Sequence, residues 1–332
     1  MVLRLGVIGL GLIANGRMIP AAMASEMVEV AALADVDSAM IDRQVAATGV
    51  RDTYLDYRQL LERSDVDLVY VATPNYLHAE HVIACASAGK HVLCEKPLAA
   101  SAAEGEAMVA ACHEHRVRLA VNYMTRFHVV HVEARRLVQE GSIGDVCFAR
   151  AHWSYYKPGG KEEFRLAAER RGGGSLADIG CYCLDVIRHV AGQEVVEVHG
   201  VLGRRRPGWS VYDAGAIVLK LRSGAAGYVD ATFDHFEAGF EIVGEKGMLV
   251  GKNCFSQDQQ GTLELVDTAK LGAAPQPLLA VSRGDYPRYD MYRKSLESFV
   301  GCIERGEPPS NSGEIGLADL RVLDAVYAQN GL

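Results

Sequence analysis

Short, almost uninterrupted apolar runs recur through the first 120 positions, at 3–8, 28–34, 68–72, 91–94 and 118–121. Stretches with helical spacing of apolar residues lie between them, at about 38–47, 56–62, 76–88 and 101–115. Strands covered on both faces read this way, and their alternation with helices predicts a parallel sheet with crossover helices. Ser101 followed by Glu104 has the form of a capping box for the last of these helices. Pro20 is expected to break and restart a helix that opens after the first strand.

From about residue 122 the pattern changes. A helix at 129–140, a strand at 146–152 and, after a glycine-rich turn, a helix at about 175–190 are followed by β-like runs at 195–201, 214–221, 225–233, 240–244 and 248–250, joined by tight turns. Two helices, at about 286–305 and 313–329, close the chain. The prediction is an α/β domain over 1–121 and an α+β domain over 122–332 with a large, mostly antiparallel open sheet, the last helix being free to pack back on the first domain.

Composition narrows the function classes. The chain has 332 residues, 49% of them apolar, which is enough for two cores. Its formal charge of −8 is spread without a basic tract or acidic block, so neither a nucleic-acid nor a membrane surface is expected. The basic run Arg204 to Arg206 precedes Pro207 and Gly208 and reads as a solvated loop rather than a phosphate site. Eight cysteines form no C-x-x-C pair and several lie in apolar runs, which points to reduced thiols and, with no leader-like or membrane-spanning segment, to the cytoplasm. Cys181 and Cys183 lack a nearby histidine, and no metal is expected.

The first strand runs into Gly9-Leu10-Gly11-Leu12-Ile13-Ala14, the G-x-G-x-x-A fingerprint of a dinucleotide-binding (Rossmann) turn. Gly9 permits the turn, Gly11 lets a pyrophosphate approach the backbone, Leu12 and Ile13 open the helix N-terminus, and Ala14 allows close helix–strand packing. Asp35 ends the second strand about twenty residues later, where a carboxylate binds the adenosine ribose hydroxyls and repels a 2′-phosphate. NAD is therefore expected in preference to NADP.

Four blocks carry a family resemblance: GLGLIA at Gly9, ATPNYLH from Ala72 to His78, CEKPLA from Cys94 to Ala99, and GGGSLADIGCYCLD from Gly172 to Asp185. In this order, with the segment after Asn122, the chain resembles the glucose-fructose oxidoreductase / inositol dehydrogenase / rhizopine catabolism (Gfo/Idh/MocA) family. The resemblance implies that Thr73, Pro74, Asn75 and His78 line the cofactor cleft; for His78 a helix-terminus hydrogen bonder is the alternative. It implies that Lys96, in the Glu95-Lys96-Pro97 block, meets the carbinol oxygen of the substrate. Asn122, Tyr123 and Arg126 resemble a segment near nicotinamide and substrate. Arg165 matches a position that could hold a substrate hydroxyl or phosphate, a surface arginine being the alternative.

Asp178, Tyr182 and Asp185 fall at i, i+4 and i+7 of a helix and are expected on one face. Many members of the resembled family have histidine where Tyr182 stands, and the tyrosine form resembles the dihydrodiol and xylose dehydrogenase branch. A phenol titrates near ~10 unperturbed, so it needs help from Lys96 and the cofactor's ring charge to act as a base. The implied reaction interconverts a secondary alcohol and a ketone on a sugar, cyclitol or other polyol, with Lys96 and Tyr182 as proton relay and Asp178 orienting the alcohol. Trp153, Tyr155, Tyr156 and His235 are candidates for a sugar pocket, with strand packing as the alternative. An NAD-dependent glycosidase-like enzyme working by transient oxidation, and a non-catalytic sensor, are the rival functions. The resemblance also implies a homodimer or homotetramer through the C-terminal sheet.

Overall fold

A computed structural model describes residues 2–158, 173–270 and 272–332. The five apolar runs of the first 121 positions form β1 (Leu3–Ile8), β2 (Val28–Ala34), β4 (Leu68–Val71), β5 (His91–Cys94) and β6 (Leu119–Val121), and a two-residue strand that the pattern did not predict, β3 (Thr53–Tyr54), completes a six-stranded parallel sheet in the order β3-β2-β1-β4-β5-β6. The sheet starts at β1, runs outward to β3, then restarts on the other side with β4. This reversal leaves a crevice at the carboxyl ends of β1 and β4, the topological switch point where open α/β sheets bind ligands.

The crossovers are α1 (Ile19–Met23), α2 (Ser38–Thr48), α3 (Tyr57–Leu61), α4 (His78–Ser87) and α5 (Ala102–Glu114). Local signals set their ends. Asp37 accepts the Ala39 amide to start α2, and Gly49 stops it in the left-handed region at φ 76°. Ser101 caps α5 by accepting the Glu104 amide, while the Glu104 carboxylate reaches the amide of Ala100 rather than that of Ser101. The expected break at Pro20 takes the form of a π-type turn over Ala14–Met18 that gives way to α1, with Pro20 in the first turn where its missing N–H has no consequence.

The second sheet has eight strands, β7 (Val146–Ser154), β8 (Val195–Gly203), β9 (Ala214–Leu221), β10 (Ala226–Thr232), β11 (Glu237–Gly244), β12 (Met248–Lys252), β13 (Gly261–Val266) and β14 (Gln276–Val281). Their order is β14-β13-β12-β11-β7-β10-β9-β8, and every pairing is antiparallel except β7 with β10. The last two strands lie beyond those predicted. Pro277 cannot donate to a ladder, which suits β14 to the sheet edge. Helices α6 (Val129–Gln139) and α7 (Cys181–Ala191) cover one face, over Ala149, Ala151, Val229, Ala231, Phe240 and Ile242. The other face carries the ion pair Arg150–Glu241 and exposes Val201 and Val218.

The chain closes with α8 (Asp290–Arg305) and α9 (Gly313–Gln329). Two compact units result, one of residues 1–123 with 289–320 and one of residues 124–288 with 321–332. Helix α8, which the pattern placed after a boundary at 122, is part of the first unit. Among the described residues no helix is long and apolar enough to cross a membrane.

Each unit buries histidines. Burial lowers His78 in the first unit to about 4. In the second, burial lowers His131, packed against the rings of His128, Phe240 and Phe255, well below the usual range, and burial with Arg126 and Arg135 lowers His189 to about 2. These imidazoles stay neutral in the folded protein while the unfolded chain takes up protons below its own pKa near ~6.5, so stability is full above that value and falls as pH drops below it. Three such groups together should cost on the order of 4 kcal/mol per pH unit between about pH 6 and 4. Denaturant melts at stepped pH should show this slope, and His131→Phe should flatten it by about a third.

Candidate functional site

The turn after β1 is built to leave backbone in the open. Gly9 has φ 90°, and a Cβ there would lie 2.8 Å from the carbonyl carbon of Ala72, so the turn is pressed against the end of β4. A Cβ on Gly11 would meet nothing within 4 Å, leaving space that a ligand's phosphates can approach. Ala14 is buried, as close packing requires, Ile13 is half-buried, and Leu12 is 89% exposed at the tip of the loop. Asp35 braces the turn from below: Oδ2 accepts the Leu10 amide at 2.6 Å and Oδ1 accepts the Asp37 amide at 2.9 Å. A carboxylate has about four acceptor sites, so a ribose diol can still be bound. Asn15, which no motif marked, donates to the Leu10 carbonyl at 2.5 Å and closes the loop from above. The residues present fit a dinucleotide.

The ends of β4, β5 and β6 bring the next candidates together. Thr73 bonds His81 Nδ1 at 2.9 Å, and Pro74 leads into a 3-10 turn, Asn75–Leu77, in which Asn75 is buried. His78 turns inward: Nε2 lies 2.8 Å from the Thr73 carbonyl and Nδ1 lies 3.0 Å from that of Pro97, and the one N–H of the neutral ring donates to one of the two. Of the two readings open for this residue, hydrogen bonding at the helix terminus describes its contacts. Glu95 is buried and accepts from Tyr70 and, at 2.6 Å, from the amide of Asn122. The Asn122 oxygen accepts from Ser295 on α8 at 2.8 Å. Asn122 is wholly buried, and Tyr123 and, in the second unit, Tyr182 are buried too. Lys96 follows Glu95 directly, half-buried, before a cis bond to Pro97.

In the second unit the helix of the GGG block opens with a π-type turn over Leu176–Gly180 and continues as α7. Tyr182 packs its ring on Trp153 of β7 at 5.2 Å. Asp178 accepts from the Tyr155 hydroxyl at 2.8 Å and lies 3.4 Å from the Lys157 ammonium. Asp185 departs from the expected stripe: it is wholly buried and takes both Oδ atoms to Arg126, whose Nε is 2.9 Å from each. Arg126 is thus held in a buried ion pair. The extra residue that a π turn inserts shifts the helical register, which i, i+4, i+7 spacing does not anticipate.

His235 lies in the turn after β10, more than half exposed beside Glu237. Arg206 is not simply solvated. It lies over the rings of Tyr156 and Trp209 and donates to the carbonyls of Lys157 and Phe233. Arg165 and Gly172 lie outside the described residues. Among those described, no cluster of histidine, cysteine or acidic residues could hold a metal ion.

Residues 3–123 match the oxidoreductase family with an NAD-binding Rossmann fold, and residues 131–250 match the Gfo/Idh/MocA C-terminal domain. The chain is 32% identical to the D-xylose 1-dehydrogenase (NADP(+)) 2 of Haloferax volcanii, over 97% of this chain and 95% of that one. It is 30% identical to the myo-inositol 2-dehydrogenase of Thermotoga maritima, over 95% and 92%. A crystal structure of an aldose-aldose oxidoreductase from Caulobacter crescentus, complexed with glycerol, superposes with a TM-score of 0.90 at 30% identity, covering 100% of this chain and 99% of that one. With both domain types matched in order and relatives aligned end to end, the chain belongs to the Gfo/Idh/MocA family of oxidoreductases.

Proposed function

We propose that this oxidoreductase interconverts a secondary alcohol and a ketone on a sugar, cyclitol or sugar derivative, using NAD in preference to NADP. The observation that carries the reading is the glycine turn, open at Gly11 and braced by the Asp35 carboxylate, in a chain whose relatives are named as sugar and inositol dehydrogenases. Bound nicotinamide supplies the centre that accepts or returns hydride. The chain's own residues manage the proton. A carbinol carbon gives up hydride readily only as its O–H proton leaves, so an ammonium that stabilises the developing alkoxide and a phenol that exchanges the proton are the two groups required. Lys96 and Tyr182 are assigned these roles, and Asp178 accepts a neighbouring hydroxyl to orient the alcohol.

The reading is tested by offering D-xylose, D-glucose, myo-inositol and other polyols with NAD and following NADH absorbance. Turnover with identified product regiochemistry supports it, and absence of NAD reduction by every polyol, with no ketose reduced by NADH, would overturn it. Gly11→Val should leave the unliganded protein's Tm unchanged, because the space is open, yet weaken NADH binding at least tenfold. Gly9→Ala should instead destabilise by about 1–3 kcal/mol through its φ and its contact with Ala72. Calorimetry and NADH fluorescence separate the two.

Lys96→Met should lower kcat by roughly 100-fold or more while the Kd for NADH changes less than about threefold, since a positioned acid/base is worth that much. Rapid-mixing turnover and cofactor titration read both quantities. With either cofactor in steady state, kcat/KM should favour NAD by at least about tenfold, and Asp35→Ser should narrow the ratio by removing the charge that repels a 2′-phosphate.

A further inference from the structure

We propose that Lys157, a residue no motif marks, is the positioning residue of the substrate-binding unit: with Tyr155 it fixes the Asp178 carboxylate so that Asp178 accepts a hydroxyl of the substrate next to the reacting carbon. The inference rests on the function proposed above and names the group that sets its specificity.

The geometry follows from the period of an extended chain, in which alternate side chains share a face. Trp153, Tyr155 and Lys157 stand two apart along the end of β7 and the segment leaving it. Trp153 meets Tyr182, and Tyr155 and Lys157 meet Asp178, while Tyr156 between them is exposed. The strand thus carries a contact for each of the two helix residues assigned to the reaction.

Lys157 is 6% exposed, an unusual place for an ammonium. Its Nζ lies 2.9 Å from the Tyr155 oxygen and 3.4 Å from Asp178 Oδ2, and it sits over the Phe233 ring at 5.0 Å. Tyr155 donates to the same Oδ2 at 2.8 Å. The backbone is clamped as well: the Lys157 amide donates to the Phe233 carbonyl at 3.1 Å, and Arg206 donates to the carbonyl of Lys157.

A buried ion pair is weak evidence for stability, because an apolar pair of similar volume does as well or better. What the arrangement does supply is orientation. Two donors of different chemistry converge on one oxygen of Asp178 and fix the plane of the carboxylate. A rigid, ionised acceptor is what selects a substrate hydroxyl, since an analogue lacking that hydroxyl leaves the acceptor unmatched.

The test uses the full chain, NAD and D-xylose or D-glucose, whichever the wild-type protein oxidises faster, together with the monodeoxy analogues of that sugar. Lys157→Met should raise KM for the sugar at least 30-fold, with kcat changed less than about threefold and NADH affinity unchanged. Lys157→Arg should recover at least a third of the loss in kcat/KM. For the deoxy analogue that lacks the hydroxyl bound by Asp178, wild type and Lys157→Met should differ less than threefold. Tyr155→Phe removes a single hydroxyl and keeps the packing; it should raise KM about tenfold, so the proposal stays testable if Lys157→Met folds poorly. Unchanged KM in Tyr155→Phe, or a Lys157→Met effect of equal size on every deoxy analogue, would overturn the inference while leaving the dehydrogenase reading intact. Failure of the wild-type protein to reduce NAD with any polyol and to reduce any ketose with NADH would instead overturn that reading and the inference with it.

Discussion

A carboxylate buried where three parallel strands end is the constraint on which the first unit's candidate groups depend. Glu95 follows β5, its donors Tyr70 and Asn122 belong to β4 and to the residue after β6, and Ser295 of α8 holds Asn122 in turn. An unpaired buried carboxylate would cost several kcal/mol, so each of these neutral donors is needed where it is. Burial and the nearby Glu95 charge push the Tyr70 phenol well above its ordinary range, which keeps it a donor. Because the donors come from the flanking strand β4 and the end of β6, and Asn122 is held in turn by α8, Glu95 cannot shift without loosening all of them. Lys96 therefore departs from a fixed point, its own amide 3.3 Å from Glu95 Oε2. The same chain of hydrogen bonds ties α8 to the first unit, although some 170 residues separate Ser295 from Asn122.

Much of this was legible in the sequence, and the residues show why. The glycine turn, Asp35 and the strand ends are local: each follows from a few consecutive residues whose backbone demands are specific, such as φ 90° at Gly9. What the sequence could not show was which polar groups face inward. Asn122, Tyr123, His78 and Arg126 were all expected at the site; each is buried, and the partners of Asn122 and Arg126 are more than 25 residues away along the chain. Strands β13 and β14 escaped for a different reason. The alternation in Thr262 to Val266 is short, and Pro277 demotes the following run, so neither stands out against loop sequence until the edge of a sheet is there to receive it.

In the second unit the spacing put three side chains on one helix face, and one of them, Asp185, lies elsewhere. Spacing of i, i+4 and i+7 assumes 3.6 residues per turn throughout, whereas the π turn at Leu176–Gly180 interposes a wider one just before α7. Asp178 and Tyr182 remain beside β7, and Asp185 is carried to Arg126, in the turn that precedes α6. Lys157 was invisible because its significance lies in strand parity, two residues beyond Tyr155, and parity can be read only once the helix above the strand is known.

The two acids of this helix also differ in the way they are held. Asp185 is wholly buried and is gripped through both oxygens by a guanidinium, the arrangement that leaves least to solvent or ligand. Asp178 retains about 10% side-chain exposure, and the Tyr155 hydroxyl and the more distant Lys157 ammonium both approach its Oδ2. A carboxylate met on one oxygen by a phenol at hydrogen-bond distance and an ammonium at 3.4 Å is held in orientation, which is the condition that the proposed acceptor for a sugar hydroxyl must meet.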